Sequence, residues 1–130
     1  MGCIFAAVMN EALISIGSNK DRERNLCACR QMLDRTYKDI KYSLTSVTIP
    51  YGENYKSDFL NQLVIIYTDQ TKEEINSTLK LFEKELGRQV TDKITGNVVI
   101  DIDLIIWNNE ILRPEDMKRS YIQDLLSTFP

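Results

Sequence analysis

Two aspartates, Asp101 and Asp103, stand two residues apart inside the run Val98–Ile106 (VVIDIDLII). The remaining seven residues of the run are apolar and six are β-branched, which predicts a strand in the middle of a sheet. Side chains alternate along a strand. Val98, Ile100, Ile102, Leu104 and Ile106 then share one face, and Val99, Asp101, Asp103, Ile105 and Trp107 the other. The two carboxylates fall on the same face, roughly 6.6–6.8 Å apart along the backbone. Like charges so placed repel each other and resist desolvation. A divalent cation held between them would offset both costs, and ligands that are all oxygen suit magnesium, commonly shared with a substrate's phosphates. The competing reading is a pair of solvated aspartates on a half-exposed sheet.

The elements that must position this pair can be read along the chain. Ala12–Gly17 (ALISIG) is a short apolar strand that ends in the turn signal Gly17-Ser18-Asn19. From Arg22 to Tyr37 the residues Leu26, Cys29, Met32, Leu33 and Tyr37 recur at helical spacing. Lys41–Thr48 alternates as a strand, closed by Pro50 and Gly52, and Tyr51–Asp58 is a polar loop. Phe59–Thr68 is a further apolar strand. Thr71 and Glu74 form a capping box for a helix that carries Ile75, Leu79, Phe82 and Leu86 on one face and stops at Gly87. A polar loop over residues 89–97 leads into the aspartate strand, Asn108–Asn109 turns the chain, and Lys118–Leu126 reads as a last short helix. The order strand, helix, strand, strand, helix, strand predicts an α+β fold. It is the ferredoxin-like βαββαβ arrangement, an antiparallel sheet with helices packed on it.

Composition narrows the function classes. At 130 residues, 43% hydrophobic and 27% charged, the chain reads as one domain over 1–130. A net charge of −3 argues against nucleic-acid partners. The chain has no histidine, which excludes a histidine base and disfavours a zinc site. Cys3, Cys27 and Cys29 make no disulfide framework; Cys27 and Cys29 read as small helix residues, and a reducing cytoplasm fits them best. Met1–Met9 is apolar but too short to span a membrane and lacks the basic start of a signal peptide. Gly2 and Cys3 suggest lipidation, yet Ala6 stands where that signal needs Ser or Thr. Residues 1–11 are expected to be a flexible extension, with Met9 as an alternative start.

Four segments together carry a family resemblance: Ile16-Gly17-Ser18-Asn19, Pro50-Tyr51-Gly52 leading to Phe59-Leu60-Asn61, Glu83 with Gly87-Arg88, and Asp101-Ile102-Asp103-Leu104. In this order, and with ungapped spacing from Pro50 to Leu112, the chain resembles the 6-hydroxymethyl-7,8-dihydropterin pyrophosphokinases of folate biosynthesis over roughly residues 12–126. The resemblance implies transfer of the terminal pyrophosphoryl group of ATP to the pterin's hydroxymethyl oxygen, with two magnesium ions. It makes Asp101 and Asp103 the metal-bridging pair. Asn61 becomes the amide that hydrogen-bonds the pterin edge, Phe59 and Tyr121 the aromatic pair around the ring, and Thr48 a backbone contact. Glu83 would orient the pterin or adenine side of the cleft, or pair with Lys80 or Lys84. Arg88 and Arg119 would be the remaining catalytic phosphate contacts.

The chain also departs from the family pattern. Later arginine positions carry Val90, Ile94 and Val98, a tryptophan and a proline are replaced by Thr95 and Asn97, and the segment between Leu112 and Arg119 is shortened, removing a His-Tyr pair. Cationic clamps supply much of the stabilisation in phosphoryl transfer, so weakened activity is the expectation. Lys93, Arg113 or Lys118 could fold back as substitutes, and a homo-oligomer or partner subunit could complete the site. The rival readings are a pterin-binding relative without turnover and a protein-interaction domain that keeps only the fold.

Overall fold

Alternating β-branched and polar residues build an antiparallel sheet, and the apolar stripes of two long helices cover one of its faces. The structure, a computed structural model, describes residues 9–50 and 52–130. Residues 1–8, with Gly2, Cys3 and Ala6, and Tyr51 lie outside the described residues. The elements are β1 (Asn10–Ser18), α1 (Arg22–Thr36), β2 (Asp39–Thr48), β3 (Phe59–Thr68), α2 (Lys72–Glu85), α3 (Asp92–Thr95), β4 (Asp101–Trp107), β5 (Glu110–Ile111), α4 (Pro114–Met117) and α5 (Ser120–Leu126). Neighbouring strands are antiparallel in the order β2-β3-β1-β4-β5. This is the expected ferredoxin-like α+β fold, with β5 and two one-turn helices added.

Each sheet face has its own apolar layer. Ile14, Ile16, Val64, Ile66, Ile100 and Ile102 pack with Leu26 and Leu33 of α1 and Ile75 and Leu79 of α2. On the opposite face Leu13, Leu63 and Ile105 pack with Ile122 and Leu125 of α5. Burying a side chain of this size contributes about 1.5–3 kcal/mol, so Ile122 and Leu125 together fasten α5 to the sheet. The α2 capping box forms: Glu74 N–H donates to Thr71 Oγ1 at 3.1 Å, and Thr71 N–H donates to Glu74 Oε1 at 2.8 Å. Gly87, at φ 103°, ends the helix in the left-handed conformation.

Some boundaries, and the faces of one strand, differ from the sequence expectation. β1 begins at Asn10, so Asn10 and Glu11 belong to the sheet and not to an extension. β4 begins at Asp101 and not at Val98, because the Val98 backbone pairs with Asn19 outside the ladder. The register of β1 on β4 then shifts between Leu13 and Ile14, leaving Ile105 as a bulge. Beyond the bulge the faces exchange: Ile106 joins the α5 layer and Trp107 the α1/α2 layer, the reverse of simple alternation. The expected helix over Lys118–Leu126 begins only at Ser120, after the extended Arg119, and a separate one-turn helix, α4, precedes it.

Among the described residues no helix is long and apolar enough to cross a membrane. Cys27 is exposed and Cys29 buried, and both are free thiols. Burial pushes the Cys29 thiol up to about 12, as suits a small core residue.

Candidate active site

The sheet face that carries α5 opens into a cleft beside that helix. Its floor is set by register. Gly17 of β1 lies between Asn61 of β3 and Asp101 of β4, and Ser15 lies opposite Asp103. Gly17 is required by space: a Cβ there would stand 3.0 Å from Asn61 Oδ1. Asn61 is buried, and its Nδ2 donates to Thr48 Oγ1 at 2.8 Å and to the Ser46 carbonyl at 3.3 Å. These bonds fix the amide with its oxygen over Gly17. Phe59, Thr48 and Tyr121 line the same cleft. Tyr55 meets the Phe59 ring edge-on, with centroids 5.2 Å apart. Burial raises the Tyr121 phenol against the Arg119 hydrogen bond and charge, so the ring is a neutral aromatic surface.

Asp101 and Asp103 share the cleft face of β4, two residues apart. Behind them β4 has no backbone neighbour, because β5 pairs only with Ile106 and Trp107. Side chains from the α2 region serve that edge instead. Ile102 N–H donates to Glu83 Oε2 at 2.6 Å, Lys80 Nζ donates to the Ile102 carbonyl at 2.8 Å, and Arg88 Nη1 donates to the Ile100 carbonyl at 3.1 Å. Glu83 Oε2 also accepts from Lys80 and Arg88, both at 3.2 Å. Arg88 Nη1 reaches on to Asp101 Oδ1 at 2.5 Å, and Lys80 Nζ to Asp103 Oδ1 at 3.4 Å. Three side chains thus complete the hydrogen bonding of an exposed sheet edge.

The two carboxylates are electrostatically unequal. Burial raises Asp101, but the hydrogen bond and charge of Arg88 outweigh it and hold the carboxyl below its ordinary value. Asp103 is pushed up to about 6 by burial and by the charge of Asp101, against the pull of Lys80 and Arg113. Glu83, Asp101 and Asp103 each offer one carboxylate oxygen within 4.8 Å of the others. Glu83 is already committed to three donors, so Asp101 and Asp103 are the pair able to take a cation. Two carboxylates facing open space, with no sulfur or nitrogen ligand, fit a hard dication such as magnesium.

The cations fall into two groups. Arg113, Arg119 and Lys93 line the cleft. Arg88 and Glu83 line instead a shallow groove beside α2, with Lys80, Lys84 and Val90. Glu83 thus lines the groove beside α2, and of the expected pairings the one with Lys80 forms and is joined by Arg88. Arg88 is likewise behind the aspartates, not across the cleft from them. Lys118 pairs with Glu115 on the surface at 3.3 Å, so of the substitute cations only Lys93 and Arg113 reach the site.

Three positions gain a role that pattern alone did not suggest. Asn19 Nδ2 donates to the carbonyls of Gly96 and Ser57, and its Oδ1 accepts the Val98 N–H at 2.6 Å. This buried amide ties the end of β1 to both loops at the cleft mouth. Gly96, at φ 79°, sits so close to Asn54 that any Cβ would collide with its backbone. Asp116 Oδ2 accepts from Arg113 Nε at 2.5 Å, and Asp116 Oδ1 lies 3.6 Å from Arg119 Nη2. The sequence signal for Asp116 is its place three residues from each arginine.

The comparisons agree with this geometry. Residues 13–129 match the family described as 7,8-dihydro-6-hydroxymethylpterin-pyrophosphokinase (HPPK). The chain is 31% identical over 115 residues to the folic acid synthesis protein fol1 of Pneumocystis carinii, covering 85% of this chain and 15% of that protein. It is 31% identical over 114 residues to the 2-amino-4-hydroxy-6-hydroxymethyldihydropteridine pyrophosphokinase of Bacillus subtilis (strain 168), covering 83% of this chain and 66% of the relative. The chain thus spans less than two thirds of either relative's length. Because the family match runs from β1 past the end of α5, it covers the whole described fold and not one motif, and the chain belongs to the HPPK family.

Proposed function

We propose that this chain transfers a pyrophosphoryl group from ATP to the hydroxymethyl oxygen of 6-hydroxymethyl-7,8-dihydropterin and releases AMP. The observation that supports it best is the cleft floor, where Asn61, Gly17 and Asp101 lie side by side on three adjacent strands. A flat heterocycle held at Asn61 has its substituent beside the carboxylate pair. In this reading Phe59 and Tyr121 cover the two faces of the pterin, Asn61 bonds its edge, and the backbone near Thr48 completes the pocket. Asp101 and Asp103 would hold magnesium, which when bound would supply charge neutralisation for the phosphates. Arg119 faces the phosphates from the α5 side. Arg88 acts through Asp101, keeping it ionised and oriented. The pterin hydroxyl oxygen attacks the β-phosphorus while the bond to the AMP oxygen breaks, so AMP leaves with the electron pair and the hydroxyl proton passes to solvent. No strong protein base is needed if the reactants are positioned and the charge is neutralised. A reducing cytoplasm suits the free thiols.

AMP release from magnesium-ATP tests the reading, with and without the pterin, beside an Asp101→Asn/Asp103→Asn variant. Pterin-dependent AMP that falls by on the order of 10³-fold in the variant is the expected result. No pterin-dependent AMP from folded protein at high concentration would overturn it.

One observation favours a second reading, a pterin binder without turnover. Two of the family's arginine positions carry Val90, 99% exposed, and Ile94, 75% exposed, and neither can meet a phosphate. Pterin binding unaffected by ATP and magnesium would favour that reading.

A further inference from the structure

The short segment Arg113-Pro114-Glu115-Asp116-Met117-Lys118-Arg119 has more order than its length requires. Pro114 occupies the first turn of α4, where its fixed φ suits a helix start. The turn places Asp116 between two arginines, each three residues away. Its side chain is only 14% exposed. One oxygen takes Arg113 Nε at 2.5 Å, and the other lies 3.6 Å from Arg119 Nη2. A carboxylate between two guanidinium groups removes the repulsion that would otherwise separate them.

The bracket so formed faces the aspartate pair. Arg113 Nη1 lies 3.8 Å from Asp103 Oδ1, which is beyond hydrogen-bond range. The contact is therefore a loose ion pair that a stronger acceptor can displace. Guanidinium groups present a planar fork that matches phosphate oxygens. Two of them beside a cation-binding carboxylate pair have the geometry to meet the phosphate chain of a metal-bound nucleotide. With apolar residues at the loop positions, this bracket and Lys93 are the cations lining the described cleft.

We propose that Arg113 binds the phosphate chain of the nucleotide beside Asp101 and Asp103, and that Asp116 is the positioning residue that holds Arg113 and Arg119 together for that contact. The proposal rests on the pyrophosphokinase reading. The alternative is that Arg113 only offsets the charge of Asp103.

Calorimetric binding of the magnesium complex of α,β-methylene-ATP, which cannot transfer a pyrophosphoryl group, separates the two. Pterin binding to the same proteins by fluorescence is the control. Arg113→Met should weaken nucleotide binding roughly tenfold or more, with pterin binding unchanged. Arg113→Lys should recover part of the loss, because it restores charge without the fork. Asp116→Asn should weaken nucleotide binding in the wild-type background and add little to Arg113→Met, the non-additivity expected of residues acting as a unit. Wild-type nucleotide affinity in Arg113→Met would overturn the inference alone. A wild-type chain that binds neither nucleotide nor pterin would overturn it together with the proposed function. Arg113, with its side chain 47% exposed, is a site where Met and Lys leave the fold intact, so the result stands even if Asp116→Asn does not fold.

Discussion

The aspartates of β4 are flanked by two ionic clusters of the same composition, two cations around one carboxylate, that do opposite work. On the α2 side, Lys80 and Arg88 surround Glu83, whose side chain is 9% exposed. Every member of that cluster also bonds the backbone of Ile100 or Ile102, at the start of β4. On the α4 side, Arg113 and Arg119 surround Asp116, and their ion pairs run to each other and to Asp103. The first cluster bonds the edge-facing backbone of Ile100 and Ile102 as well as the aspartates. The second faces the cleft and can change partners. Charge alone does not distinguish a phosphate clamp from a brace; what else each cation must satisfy does.

Glu83→Ala tests the brace most severely. It would leave the Ile102 N–H without its acceptor and strand two cations in a partly buried place. The expected loss is about 3 kcal/mol in urea unfolding, because breaking a buried ionic network leaves uncompensated charges. Asp116→Asn should cost about 1 kcal/mol or less, since its partners are more exposed and an amide can still accept. Equal losses in the two variants would erase the distinction between the clusters.

The sequence showed the two clusters unequally. The fold order, both long helices, the capping box and the shared face of Asp101 and Asp103 are local patterns of period two or 3.6, and all of them form. The cleft residues Asn61, Phe59 and Tyr121 were legible only through the resemblance. No periodicity shows that Gly17 would stand between Asn61 and Asp101, since that depends on the register of three strands. The bulge at Ile105 was hidden because an apolar run of Ile105, Ile106 and Trp107 tolerates either face. Arg88 followed a family position, but its bonds to Ile100 and Glu83 depend on the edge of β4 away from β1 lacking a strand neighbour there, a long-range fact. Asp116 carries no local signal of its role, because an acidic residue in a short polar turn ordinarily reads as solvated surface.

The boundary between the clusters is Asp103, which touches both Lys80 and Arg113, and its titration can be read as stability. In the metal-free protein its carboxyl is pushed up to about 6 by burial and by Asp101, above the unfolded value of about 3.9. A raised folded value favours the folded state below pH about 4, and that contribution is lost as pH rises through about 6. Asp101 has the opposite sign: its depressed carboxyl contributes stability above its ordinary value and loses it as pH falls further. Asp103→Asn removes a charge that is unfavourable near neutrality. In EDTA the variant should therefore gain on the wild type between pH 4 and 7.5, by about 2 kcal/mol after allowance for partial exposure. A difference in urea midpoint that stays constant across that range would show the Asp103 charge to be fully offset by its cations.

Lys118 supplies the smallest effect and the sharpest control for the α4 side. It lies on the same short segment as Arg113 and Arg119, but its side chain is 73% exposed and pairs with Glu115, itself 85% exposed. Exposed pairs of this kind contribute between nothing and about 1 kcal/mol. Lys118→Ala should shift stability by less than about 0.5 kcal/mol and leave nucleotide binding unchanged. A uniform electrostatic field over the segment would make Lys118 matter nearly as much as Arg113. If calorimetry found the two substitutions equally damaging, the bracket would be no more than a local excess of positive charge. If only Arg113 matters, the fork and its carboxylate support account for the effect, and general attraction of a polyanion does not.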